Sequence, residues 1–213
     1  MKNIFKNISD KERLKLLDFL ESHKINLKKD IDISMSVNDS RSICIVIYGY
    51  LQIIKTDFNG NRIIIEELTE NSIFGGAISN IKNNEYSVIT KEDSSIIVLD
   101  YNLIINKEDN KLPYYNKFIK NLLEILIDKI EANNKRIEIL TNKTIRDRLL
   151  SYFNSMSKGV NTRTIYLPFN FTDLADYLAV NRSAMSREIG NLKEEGIIEV
   201  QGKKIKLLYY LED

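Results

Sequence analysis

The stretch that decides the fold is NFTDLADYLAVNRSAMSREIGNLKEEG, residues 170–196. Apolar side chains recur at steps of three and four on both sides of residues 179–181, which predicts two amphipathic helices joined by a tight turn. Asn170 suits the N-cap of the first helix, and Gly196 suits the end of the second. The residues predicted to pack the helices together are Leu174, Ala175, Leu178, Met185, Ile189 and Leu192. This spacing indicates a helix-turn-helix.

The start of the second helix carries polar side chains on the face turned away from the first. In a recognition helix such residues meet base edges in the major groove, where an arginine bonds O6 and N7 of guanine. The following segment, IIEVQGKKIKLLYY (197–210), predicts a hairpin wing with two lysines at its tip for the phosphate backbone. The predicted DNA contacts are Asn181, Arg182, Ser183, Ser186, Arg187, Lys203 and Lys204. The alternative is a small helical domain with a solvated face.

The sequence between about Asn26 and Asp100 breaks into short runs rich in Ile, Val and Tyr. Examples are SICIVIYGYLQIIK (42–55) and RIIIEEL (62–68), which are typical of strands. Between these runs, Asn59 and Gly60 predict a hairpin turn, because both residue types tolerate a positive φ. Strands this short and closely spaced favour a small barrel or sandwich.

Residues 114–140 predict one long helix that begins near Pro113. A helix of ~27 residues reaches about 40 Å, which is more than one small barrel covers. Its apolar residues alternate in steps of four and three, a heptad pattern with one polar member. The predicted dimer seam comprises Ile119, Leu123, Leu126, Ile130, Asn133, Ile137 and Leu140. Length and seam together favour a dimer helix over a core helix with a polar defect.

Composition excludes several classes of function. The 213 residues carry a net charge of +1 and include one cysteine, Cys44, and one histidine, His23. One cysteine excludes an intrachain disulfide and any zinc site or iron–sulfur cluster held by four cysteines of one chain. His23, which the pattern places in an amphipathic helix, has no catalytic motif around it, so we expect no enzyme and no metal site. No apolar run reaches the ~20 residues of a membrane span, and the first residues lack the apolar stretch and cleavage site of a secretory signal, so we expect a cytoplasmic protein.

Two stretches resemble the Crp/Fnr family of transcriptional regulators, and the resemblance covers nearly the whole chain. LADYLAVNRSAMSREIGNLKEEGIIEVQGKKIKL (174–207) resembles the family's helix-turn-helix and wing, and LQIIKTDFNGNRIIIEELTENSIFG (51–75) resembles its β-roll. The resemblance implies an α+β chain with a cyclic-nucleotide-binding-like β-roll (jelly roll) at 1–112, a dimerisation helix at 113–141 and a winged helix at 142–213. It also implies a parallel homodimer that binds an inverted repeat in double-stranded DNA and acts on RNA polymerase.

The same resemblance assigns roles to individual residues of the recognition helix. Arg187 matches an arginine that reads a guanine in each half-site, and Arg182 matches one that contacts a base or a phosphate. Ser183 stands where many members carry a glutamate that accepts from cytosine, so we expect a different operator preference there. The resemblance does not distinguish an activator from a repressor.

The sensor half departs from the cyclic AMP pattern of the family. Gly76 stands where the family's glutamate binds the ribose, and no arginine occurs between Arg62 and Arg136 to hold a phosphate. We therefore expect no cyclic AMP binding and predict an unknown small-molecule effector. The residues predicted to line its site are Phe74, Gly75, Gly76 and Tyr86.

Two alternatives stay open at this point. A haem-based sensor of gas or nitrosative stress with the same fold would need an axial ligand from His23, Cys44 or a methionine, none of which lies in a motif. A protein-interaction module without DNA binding is the alternative of another class. Arg182, Ser186 and Arg187 argue against it, because a decayed recognition helix need not keep these side chains on one face.

Overall fold

The structure is a computed structural model that describes residues 3–79, 81, 85–106, 112–160 and 162–209. The chain separates into two compact units, Met1–Ile130 and Glu131–Asp213. This boundary falls inside the long helix α4 (Pro113–Thr141), which has 29 residues. None of the helices in the described ranges has the length and apolar character of a membrane span.

The N-terminal unit is a β-roll of two antiparallel sheets flanked by short helices. Its strands are β1 (His23–Leu27), β2 (Ser42–Tyr48), β3 (Leu51–Thr56), β4 (Arg62–Leu68), β5 (Ile73–Phe74), β6 (Tyr86–Thr90) and β7 (Ser94–Asp100). Its helices before α4 are α1 (Asp10–Phe19), α2 (Ser34–Val37) and α3 (Tyr101–Asn106). One sheet has the order β1-β7-β2-β5 and the other the order β4-β3-β6. The predicted fold class is confirmed for this half.

The sheet that contains β2 and β7 is buried on both faces. Cys44 and Val46 face the other sheet, in a core that also holds Val88. Ile43 and Ile45 face the opposite way and pack with the N-terminal part of α4. Because both faces are covered, β2 is a continuous apolar run and not an alternating one.

The hairpin predicted at Asn59 and Gly60 joins β3 to β4. Its loop covers residues 57–61, so it is longer than a two-residue turn, and Gly60 adopts φ +80°. The Asp57 carboxylate accepts from the backbone N–H groups of Asn59 at 2.8 Å and Asn61 at 2.9 Å. These bonds lie within the loop and order it locally.

The placement of His23 in a helix was wrong. Helix α1 begins at a capping box formed by Ser9 and Glu12 and ends at Phe19, before the histidine. His23 is the first residue of β1 and pairs with Val98 of β7. The reason is tertiary: β1 completes the edge of the sheet, and its Ile25 packs on the core of the roll.

The C-terminal unit contains the end of α4 and a winged helix. Its further elements are α5 (Ile145–Val160), β8 (Thr164–Tyr166), α6 (Phe171–Tyr177), α7 (Arg182–Glu194), β9 (Ile198–Gln201) and β10 (Lys204–Leu207). One apolar core holds the unit together and includes all six residues predicted to pack the helix pair. Strand β8 pairs with β10, so the wing is a three-stranded sheet of order β8-β10-β9 and not the two-stranded hairpin predicted.

Candidate nucleic-acid interface

The turn between α6 and α7 is set by backbone hydrogen bonds. The N–H of Val180 donates to the carbonyl of Ala175 at 3.0 Å, and Ala179 between them adopts φ +51°. This is a Schellman-type helix end with alanine at the position that usually carries glycine. Arg148 of α5 donates to the carbonyls of Leu178 at 3.2 Å and Ala179 at 3.4 Å. The angle between the two helices therefore depends on α5 as well as on the turn.

Helix α7 is capped at both ends. Asn181 is the N-cap, and its side chain accepts from the N–H of Ala184 at 3.0 Å. At the other end Gly196 adopts φ +69°, and the N–H of Ile197 donates to the carbonyl of Leu192 at 2.9 Å. The predicted ends of this helix are confirmed. Asn181, expected as a DNA contact, already uses its amide oxygen to cap the helix.

The two faces of α7 differ as the sequence predicts. Met185, Ile189 and Leu192 are buried in the core of the unit. Ser183, Ser186 and Arg187 are exposed. Within the described ranges the Arg187 guanidinium makes no hydrogen bond or ion pair, so all five of its N–H donors are available to a ligand.

Arg182 is placed differently from Arg187. Its guanidinium donates to the Asp176 carboxylate through Nε and Nη2, at distances between 2.8 and 3.2 Å. The contact raises the pKa of Arg182, because a hydrogen-bonded carboxylate stabilises the charged form. Sequence reasoning missed Asp176. The available signal was an acidic residue on a helix face that is otherwise apolar.

The wing supplies the two predicted lysines, with one correction. Lys203 lies at the hairpin tip with Gly202 and is exposed, and its Nζ is 3.4 Å from the carbonyl of Pro168. Lys204 is not at the tip, because it is the first residue of β10 and pairs with Gln201. Gly202 at φ +58° closes the turn one residue earlier than predicted.

The C-terminal end of α7 is tied to α5 by charge. Arg146 donates through both Nη atoms to Glu195, and it lies 3.3 Å from Glu188. The Arg146 guanidinium lowers the pKa of the Glu195 carboxyl. Arg136 of α4 stacks on the Tyr177 ring of α6 at 4.2 Å and donates to its carbonyl. These contacts hold both helices of the helix-turn-helix to the body of the C-terminal unit.

The predicted dimer seam of α4 divides into two groups. Leu123, Ile130 and Ile137 are 54%, 59% and 58% exposed, and Asn133 is exposed as well. Ile119 and Leu126 are half-buried against the core of the β-roll, and Leu140 is half-buried too. Ile127, absent from the predicted seam, is 53% exposed. The exposed apolar positions of α4, here called the α4 stripe, are Leu123, Ile127, Ile130 and Ile137.

The residues predicted to bind an effector are packed in the roll. Phe74 is fully buried, and half-buried Tyr86 packs on the same core between the sheets. A Cβ added at Gly75 would lie 2.4 Å from the carbonyl oxygen of Ser42, and one at Gly76 would lie 2.1 Å from that of Asp39. The two glycines are therefore required by close backbone packing.

The side chains considered as haem ligands are poorly placed for that role. Cys44 is buried in the core of the roll, where desolvation raises the pKa of its thiol to about 12. The thiolate needed for ligation is therefore disfavoured. His23 is exposed on the edge strand β1, and β7 lies between it and Cys44 on β2. These residues do not fit a haem site in this structure.

Comparison with known proteins matches both units. A family model described as the Crp-like helix-turn-helix domain matches residues 147–210, and one described as the cyclic nucleotide-binding domain matches residues 33–107. A protein named as the probable transcriptional regulator flp of Lacticaseibacillus casei is 25% identical over 96% of this chain and 91% of its own length. The regulatory protein HlyX of Actinobacillus pleuropneumoniae is 23% identical over 94% of this chain and 83% of its own.

The fold is shared with solved structures. A CooA mutant from Carboxydothermus hydrogenoformans superposes with a TM-score of 0.70 at 18% identity, covering 93% of this chain and 92% of that one. The roll, the long helix and the winged helix together define a class, the DNA-binding transcriptional regulators that carry a sensor domain. The resemblance to the Crp/Fnr family that the sequence predicts is confirmed, because one unit matches the Crp-like helix-turn-helix model, the other matches the cyclic nucleotide-binding model, and relatives named as transcriptional regulators cover most of the chain.

Proposed function

We propose that the protein is a homodimer that reads an inverted repeat in double-stranded DNA through α7. The observation that carries this proposal is the exposed Arg187, which has no hydrogen-bond or ion-pair partner among the described residues and lies on the outer face of a helix whose inner face is buried and whose ends are both capped. A guanidinium presented in this way by a helix that is capped at both ends suits bidentate hydrogen bonding to guanine. Lys203 at the wing tip suits a phosphate. The regulator then acts on transcription through RNA polymerase, as its family resemblance implies.

The dimer part of the proposal rests on the α4 stripe. Four large apolar side chains, each more than half exposed, follow one another at helical spacing on the same element. Exposed apolar rows of this kind mark interaction surfaces, and a second copy of the same helix offers the complementary row. Asn133 between Ile130 and Ile137 would set the register of the pair.

The effector that we propose is a small, largely apolar molecule and not cyclic AMP. Gly76 has the backbone of Asp39 against it, so no acidic side chain stands there to bind a ribose. A groove of about 640 Å³ between the loop at 77–78, α3 and α4 is lined mainly by Ile, Leu and Tyr side chains, among them Ile43 and Leu122. Its volume is in the range of small-molecule sites, and its lining suits an uncharged ligand.

Selection from a random duplex library tests the proposed function. The wild-type chain should enrich an inverted repeat whose half-sites lie about 34 Å apart, one turn of DNA, with a guanine in each. Arg187→Ala should lose about 1–3 kcal/mol of discrimination at that guanine. Lys203→Ala is the control, and it should weaken binding to all sequences alike and reduce the salt slope by about one unit. An Arg187→Ala variant that keeps its base preference would show that Arg187 contacts a phosphate.

A further inference from the structure

Asp176 is a buried carboxylate in the last turn of the short helix α6. It is 5% exposed and lies between Ala175 and the aromatic Tyr177 on α6. Carboxylates are rarely buried unless they are paired, because desolvation disfavours the charged form. Every hydrogen bond that the described residues give this side chain comes from Arg182, at the start of the next helix.

Arg182 also occupies a position that its charge does not favour. It is the first residue of α7, where the helix macrodipole is positive and disfavours a cation. The pair therefore joins two residues that local rules would exclude, a buried acid and a cation at a helix N-terminus. Each compensates the other, and the contact crosses the turn that sets the geometry of the helix-turn-helix.

The contact uses only one edge of the guanidinium. Asp176 accepts from Nε and Nη2, with Nη2 at 2.8 Å from Oδ2, while Nη1 makes no hydrogen bond within the described residues. The arginine side chain is 53% exposed and the aspartate side chain 6%. Nη1 is thus the amino group left to meet a ligand, and the buried carboxylate holds it in place. A side chain that is already ordered loses less entropy on binding.

We propose that Asp176 is a positioning residue for DNA recognition, which fixes the Arg182 guanidinium so that its Nη1 edge contacts one position of each half-site. The proposal rests on the DNA-binding function proposed above and extends it to a residue that does not itself touch DNA. The competing role is a structural tie between α6 and α7 with no influence on sequence preference.

The two roles predict different effects of Asp176→Asn on sequence preference, because a structural tie leaves the preference unchanged and a positioning residue does not. The substitution removes a negative charge near the DNA, so electrostatics alone would strengthen binding to every sequence. Loss of positioning would instead lower the affinity for the operator relative to other DNA. Asp173→Asn is the matched control, because Asp173 lies one turn earlier on α6, also acts on Arg182 through its charge, and hydrogen-bonds Asn170 instead.

The experiment uses the full chain, the operator selected by the wild type and a scrambled duplex of equal length. Fluorescence anisotropy gives the ratio of the dissociation constant for the scrambled duplex to that for the operator, so a lower ratio means weaker sequence preference. Thermal melts confirm that each variant is folded. Asp176→Asn should lower this ratio at least about fivefold, the lower limit for a well-placed arginine contact, while Asp173→Asn leaves it unchanged. In an Arg182→Lys background Asp176→Asn should have no further effect on the ratio, because it acts only through the arginine.

An unchanged ratio for folded Asp176→Asn would overturn the proposal and leave a structural tie. If that variant does not fold, Asp176→Glu replaces it, since glutamate keeps the charge but displaces the carboxylate, and the same fall in the ratio is expected. An equal ratio in Asp176→Glu and the wild type would also overturn it. A wild-type chain that selects no sequence at all would instead contradict the proposed function.

Discussion

Ala179 shows at the scale of one residue how the helix-turn-helix is built. It holds the turn at φ +51°, where its Cβ crowds the following carbonyl, a conformation that costs most L-residues about 1–2 kcal/mol. The strain is tolerated because the Schellman bonds and Arg148 fix the backbone on both sides. The methyl group itself is exposed and adds little to the core.

Replacing Ala179 with glycine should therefore stabilise the C-terminal unit. Relief of the strain exceeds the entropy that glycine adds to the unfolded chain, and the net gain should be about 0.5–1 kcal/mol in the free energy of unfolding. Calorimetric melts would measure it. The matched control is Gly196→Ala, at φ +69°, which should destabilise the same unit by about 1 kcal/mol. A lower melting temperature for Ala179→Gly would contradict the strain argument.

Helix α4 shows at the scale of an element how one sequence pattern serves two surfaces. Tyr115, Phe118, Leu122 and Ile125 are buried against the β-roll, whereas the α4 stripe is exposed. A heptad count cannot separate these faces, because residues on neighbouring faces of a helix recur at the same steps of three and four. This is why the heptad pattern includes the half-buried Leu126 and omits the exposed Ile127.

The double substitution Ile127→Asp and Ile130→Asp should abolish dimerisation. In the proposed dimer both carboxylates would be buried in an apolar seam without a partner, which costs several kcal/mol, so the variant should sediment as a monomer at micromolar concentration. The matched control is the double substitution Leu14→Asp and Phe58→Asp. These side chains are 70% and 97% exposed and do not belong to α4, so the control should stay dimeric. If the variant with Asp at positions 127 and 130 still sediments as a dimer, the interface does not include the α4 stripe.

At the scale of the whole molecule, the chain combines a sensor roll with a DNA-binding unit, and the packing of the roll restricts which ligands it can bind. The family resemblance implies an acidic side chain at the position of Gly76, but a Cβ there would lie 2.1 Å from the carbonyl oxygen of Asp39. Restoring that side chain would not restore a site. The Cβ of Gly76→Glu would overlap the carbonyl oxygen of Asp39, so the substitution should destabilise the roll.

Cyclic AMP should accordingly leave the protein unaffected. Titration calorimetry with millimolar cyclic AMP should give no saturable heat, and operator affinity should be the same with and without the nucleotide. 5′-AMP is a suitable control, since it carries the same base and a phosphate. Saturable binding of cyclic AMP in the micromolar range, absent with 5′-AMP, would show that the roll holds a phosphate by groups outside the expected pattern.

The sequence by itself determined those features that depend on neighbours along the chain. The ends of α7, the hairpin at Gly60 and the inward faces of α6 and α7 follow from caps, turn residues and helical periodicity, and all were predicted correctly. The exposure of Arg187 on the outer face of α7 also follows from its place in the helical pattern. These signals act within about one helical turn, so they can be read from the order of residues.

Only the tertiary structure decided what depends on residues that are distant along the chain. Strand β1 forms at His23 because β7 offers a sheet edge 75 residues later, and β8 joins the wing because β10 is available to pair with it. The half-burial of Leu126 and the exposure of Ile127 depend on where the roll covers α4. The sequence predicts Arg182 as a DNA contact beside Arg187, and only the fold shows the Asp176 carboxylate 2.8 Å from its guanidinium. Burial and pairing are properties of three-dimensional neighbours, and local propensity does not encode which neighbours will be present.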